Sequence, residues 1–127
     1  MTATLAGVRI DPDGTRADIA PPRGVDLLPW LREELGGWPE LAHYGTREHA
    51  VCVIVHETSM VDGLPANCVA TTLVEELRGG LLDYHLHGTV FLFGYENPGE
   101  TADLRAETRE LLDTIAALHA AAGQVAP

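Results

Sequence analysis

The sequence predicts an α+β fold, with a small mixed or antiparallel sheet of about four to five strands, two packed helices and a C-terminal helical extension. Three observations predict it. Ala50–Val55 is almost wholly apolar and rich in β-branched residues, the pattern of a strand covered on both faces. Three segments place leucine, valine and isoleucine at helical spacing. Glycine pairs, prolines and Asp-Gly steps separate these segments at short intervals.

The first strand is expected over Leu5–Ile10. Asp11-Pro12-Asp13-Gly14 then turns the chain, and Thr15–Ala20 returns as the second strand. Pro21-Pro22-Arg23-Gly24 interrupts the pairing. Asp26 is the expected N-cap of a helix over Leu27–Leu35, with Leu28, Leu31 and Leu35 inward and Arg32, Glu33 and Glu34 outward. Pro29 fits because it falls in the first turn, and Gly36-Gly37 stops the helix. Trp38–His43 reads as a strand whose Pro39 assigns it to a sheet edge. Tyr44–Glu48 forms a turn, Ala50–Val55 the buried strand, and His56–Gly63 a loop.

Asn67 is the expected cap of a second helix over Cys68–Arg78, whose inward stripe is Val69, Leu73 and Leu77 and whose stop is Gly79-Gly80. Leu82–Leu86 reads as a brief extended piece. Gly88–Gly94 holds a further central strand, and Asn97-Pro98-Gly99 turns the chain. A last helix is expected over Thr101–Ala121, with Leu104, Leu111, Ile115 and Leu118 on its apolar face and Thr108 interrupting the stripe. The organisation is therefore an α+β domain over 1–99 and a helix over 100–127, packed on that domain or mediating association.

Charge and composition narrow the function classes. Nineteen acidic residues oppose eight basic ones, giving a net charge of −11. That balance repels phosphate backbones and disfavours direct nucleic-acid binding, while suiting a basic partner. All of the basic residues are arginine. Together with abundant alanine, glycine, leucine and valine, this indicates a GC-rich coding sequence of an actinobacterium or its phage. No run has the roughly 18 uncharged apolar residues of a membrane helix, and the N-terminus lacks the pattern of a secretory signal. No membrane partner is expected, and the expected location is the cytoplasm, that of the host if the chain is phage-encoded. Cys52 and Cys68 are expected as free thiols.

Four motifs occur in a telling order. Leu31-Arg32-Glu33-Glu34-Leu35-Gly36-Gly37-Trp38-Pro39-Glu40 is a helix, a glycine turn and an aromatic-x-Glu strand. Ala50–Val55 follows. Gly63-Leu64-Pro65-Ala66-Asn67-Cys68-Val69-Ala70 carries a Gly-Leu-Pro step and then asparagine before a helix, and His87–Gly94 closes with glycine, apolar strand, glycine. Over roughly Asp26–Gly94 this succession resembles the domain of unknown function 3846 family. The resemblance implies residence in phages, plasmids or actinobacterial genomes and no established activity. The helix from Thr101 extends beyond that family's compact domain.

No catalytic constellation emerges. Cys52, His56, Cys68 and His87 have the chemistry of a zinc set, with His49 and His85 nearby, but no paired Cys-x-x-Cys or His-x-x-x-His unit organises them. Cys68 in a first helical turn, or Ser59 without an elbow of glycines, is a weak nucleophile candidate. Glu33-Glu34 and Glu75-Glu76 are adjacent and so do not converge on a substrate. No cofactor is expected.

The residues that remain for a partner or ligand surface are Trp38, Gly63, Pro65 and Asn67, together with an acidic row of Asp103, Glu107, Glu110 and Asp113 that Arg105 and Arg109 interrupt. The expected function is that of a non-enzymatic accessory protein of phage or mobile-element type, binding a host protein. A small Cys/His metal protein or hydrolase, and a homodimer joined through the last helix, are the alternatives.

Overall fold

A computed structural model describes residues 4–45, 50–58, 62–96 and 100–123. In chain order the elements are β1 (Gly7–Ile10), β2 (Arg16–Ile19), α1 (Leu27–Leu35), β3 (Pro39–Tyr44), β4 (Val51–His56), α2 (Cys68–Arg78), β5 (Val90–Glu96), β6 (Glu100–Ala102) and α3 (Ala106–Ala121). The strands form one six-stranded sheet in the order β2-β1-β5-β4-β3, with β6 beside β5, and every pairing is antiparallel. The α+β class with a C-terminal helix is thus the observed one.

Alternation along the central strands divides the core in two. Val51 and Val53 of β4, Val90 and Leu92 of β5, and Val8 and Ile10 of β1 face α2 and α3, where they meet Val69, Leu73, Val74, Leu112, Ile115 and Ala116. Cys52, Ile54, Phe91 and Phe93 face the other way, toward Leu5 and the Leu31 side of α1. Trp30 completes that second layer, its ring edge-on to Phe91 at 5.4 Å between centroids. A strand that feeds two layers has no polar face to show, which is why Ala50–Val55 contains no charge.

Several local expectations are corrected. Asp26 makes no side-chain cap; a 3-10 turn over Gly24–Asp26 already winds the backbone, so Asp26 has helical dihedrals when α1 begins. Leu28 is 45% exposed, because the inward face of α1 is Leu27, Trp30, Leu31 and Leu35. Leu82–Leu86 forms no strand. The Leu82 and Leu86 amides instead donate to Glu75 Oε2 and Thr71 Oγ1 of α2, each at 2.9 Å.

The largest correction concerns the last helix, which starts at Ala106 rather than Thr101. Glu100–Ala102 pairs with Gly94–Glu96, and Leu104 N–H donates to Ala6 O at 2.8 Å, so long-range sheet bonds override a locally helical sequence. The buried stripe of α3 is accordingly Thr108, Leu112, Ile115 and Ala116, and Leu118 is 66% exposed. Thr108 lies inside the stripe. Two glycine turns match their expectation: Gly36 and Gly79 are left-handed C-caps whose N–H groups return to Arg32 O and Glu75 O. Among the described residues no helix is long and apolar enough to cross a membrane.

Candidate functional site

Asn67 holds its neighbourhood together from the inside. Its side-chain oxygen accepts from Ala70 N–H at 3.2 Å, as an N-cap does, while Nδ2 donates to Ile10 O at 3.0 Å and Gly88 O at 2.9 Å. The residue has no exposed surface, so it ties α2 to β1 and to the start of β5 and meets no outside ligand. Gly63 and Pro65 stay exposed beside it, and Pro65 O accepts from Gly88 N–H at 2.8 Å.

Half of the acidic row is tied into the fold. Asp103 accepts from Ala6 N–H at 2.8 Å and from Arg23 at 2.7 Å, and Asp113 faces Arg16 at 3.4 Å. Asp18 of β2 pairs in turn with Arg109 of α3. Glu107 and Glu110 are exposed and make no ion pair among the described residues. With half of its carboxylates engaged by arginine, the row is not a continuous run of unpaired acids.

The cysteine and histidine set is not assembled. Cys52 belongs to the layer under α1, whereas Cys68 opens α2 on the opposite face of the sheet. Burial pushes the Cys52 thiol up from 9.0 to about 11, only partly offset by a hydrogen bond with Thr101, so it is protonated and unreactive at neutral pH. His56 Nδ1 is occupied by the amide and hydroxyl of Thr58, at 3.1 and 3.0 Å, and His87 Nδ1 lies 2.7 Å from Leu64 O. Among the described residues no three potential ligands converge. His49 and Ser59, with the Asn97-Pro98-Gly99 turn, lie outside the described residues.

What the structure adds is an open sheet edge with a cleft beside it. Among the described residues β3 pairs only with β4, in the register Pro39↔His56 to Tyr44↔Val51. Glu57 N–H donates to Trp38 O at 3.0 Å, which makes Trp38/Glu57 a hydrogen-bonded pair. Such pairs recur at every second residue. Glu40, Ala42 and Tyr44 therefore spend their backbone groups on β4, while those of Leu41 and His43 point away from the sheet. No partner for them occurs among the described residues. Exposed side chains accompany this edge: Leu41 at 46% and Trp38 at 51%, the latter under the Arg32 guanidinium at 3.9 Å from its ring centroid.

The cleft, of about 340 Å³, has β3 and β4 as its floor. Glu40, Ala42 and Tyr44 line it from β3, and Val53, Val55, His56 and Glu57 from β4 and its end. The wall is Tyr84–His87, between α2 and β5. The Tyr44 hydroxyl is held above its ordinary value of 10.0, first by burial, then by Tyr84 and Glu40 against the opposing charge of Arg78. The edge position of β3 is legible in the sequence through Pro39, whereas the cleft is not. The one signal was the alternation of Tyr84, His85, Leu86 and His87, and nothing local ties that segment to β3.

Comparison with protein-family models, curated proteins and solved structures finds no match.

Proposed function

We propose that this domain is a non-enzymatic binding protein whose partner is another protein, docked along β3. One observation carries the reading: an edge strand with outward backbone groups at Leu41 and His43, flanked by exposed Trp38 and Leu41. Main-chain pairing with an incoming strand is a common use of such an edge. The motif resemblance and the arginine-only cation usage support an accessory role in a phage or mobile element of actinobacteria, acting in the host cytoplasm. The charge of −11 favours a basic host protein.

The hydrolase or metal alternative is weakened by the separation of Cys52 from Cys68 across the sheet. The homodimer through the last helix is weakened because α3 spends Leu112, Ile115 and Ala116 on its own sheet.

Leu41→Pro tests the reading, since it removes an outward N–H and leaves the pairs to β4 intact. Capture of a specific protein from an actinobacterial lysate by the parent chain, lost in the variant, is the expected result. Equal capture by both would place the contact elsewhere.

A further inference from the structure

Building on docking at β3, we infer that the cleft beside it takes a cationic side chain, arginine above all, from an extended partner segment that adds to β3 as a strand. Hydrogen-bond alternation fixes the geometry. A strand paired through Leu41 and His43 presents every second side chain to the face that carries Glu40, Ala42 and Tyr44, which is the floor of the cleft.

The chemistry of the cleft selects what enters. Glu40 and Glu57 supply carboxylates that form no ion pair among the described residues. Tyr44 and Tyr84 supply aromatic faces, on which a planar guanidinium stacks better than an ammonium. The nearby Arg78 donates to Leu81 O at 3.2 Å, so its guanidinium is directed at a carbonyl of its own turn.

A second copy of this chain is the less suitable occupant. Its β3, Pro-Glu-Leu-Ala-His-Tyr, offers no arginine or lysine, and each copy brings a charge of −11.

The test uses the full chain and a short synthetic peptide in which arginine alternates with valine, compared with an isomer whose arginines are contiguous and an analogue with citrulline for arginine. Amide exchange at Leu41 and His43 and affinity by calorimetry are the readouts. The alternating peptide should slow exchange at both amides and bind more tightly than its isomer. Glu40→Gln with Glu57→Gln should weaken it roughly five-fold or more. Glu107→Gln with Glu110→Gln, on the helix whose Arg109 and Asp113 reach β2 at the opposite edge, should leave it unchanged. Equal losses from the two double variants would reduce the effect to general charge attraction and overturn the inference. Citrulline binding as well as arginine would overturn the cation preference while edge docking stood. Unchanged Leu41 and His43 amides with every peptide would remove both. Protection of those amides without peptide, rising with protein concentration in step with a dimer in sedimentation, would assign the edge to a second copy and overturn the inference.

Discussion

Asn67 shows how much one buried side chain can organise. Its oxygen caps α2 locally through Ala70 N–H, and its Nδ2 donates to the carbonyls of Ile10 and Gly88, so two of its three bonds join parts of the chain far apart in sequence. Asn67→Ala should cost about 3 kcal/mol, because it removes the cap and two buried hydrogen bonds to backbone carbonyls. Asn67→Asp keeps the capping oxygen but aims a carboxylate at those carbonyls, and should be at least as destabilising at neutral pH. Urea midpoints measure both. Cys52 gives a pH dependence of known sign. The fold raises its thiol from 9.0 to about 11, so the native state keeps a proton that the unfolded chain has released. The stability from this burial is complete below pH 9.0 and lost as pH rises to about 11, a decline of ~2 kcal/mol. Tyr44, raised in the same direction, adds to it. Urea unfolding between pH 8 and pH 11 should show the decline, and Cys52→Ala, though weaker at pH 8, should make it shallower.

Among the helices, α3 carries an internal cost. Thr108 is fully buried against the sheet, and its Oγ1 finds no hydrogen-bond partner among the described residues. Valine has the same shape and no hydroxyl to leave unpaired. Thr108→Val should stabilise the domain by about 1 kcal/mol in thermal or urea unfolding. No change would mean that the hydroxyl is satisfied in solution. Further along, His119 Nε2 lies 2.9 Å from Thr72 Oγ1 and links α3 to α2. The β5–β6 pair is constrained by a close approach, since a Cβ on Gly94 would collide with the carbonyl of Asp103. Gly94→Ala therefore has to push β6 and the start of α3 away from β5.

Across the fold, the C-terminal segment is part of the core. Leu104, Leu112, Ile115 and Ala116 pack in one layer with Val8, Val90 and Leu92. A chain cut after Glu96 exposes that layer and loses the pairing of β6. Near-ultraviolet circular dichroism should show no fixed aromatic environment in it, whereas a native spectrum would show that the first part folds alone. The ion pairs that tie α3 to β2, Arg16–Asp113 and Arg109–Asp18, are surface contacts of small individual worth. Apolar burial holds the helix in place.

Period and punctuation made much of this legible in advance. The two-sided strand at Val51–His56, the glycine stops at Gly36 and Gly79, the Asn67 cap and the edge position of β3 follow from local rules about which dihedrals, hydrogen bonds and alternations a residue can satisfy. Long-range partners settled the rest. Thr101 joined a strand because β5 had a free flank, and Asp103 became a strut because Arg23 and Ala6 met it. The cleft belongs to this second group. Tyr44 of its floor and Tyr84 of its wall lie forty residues apart in sequence, and the closing of the sheet against α2 brings them together.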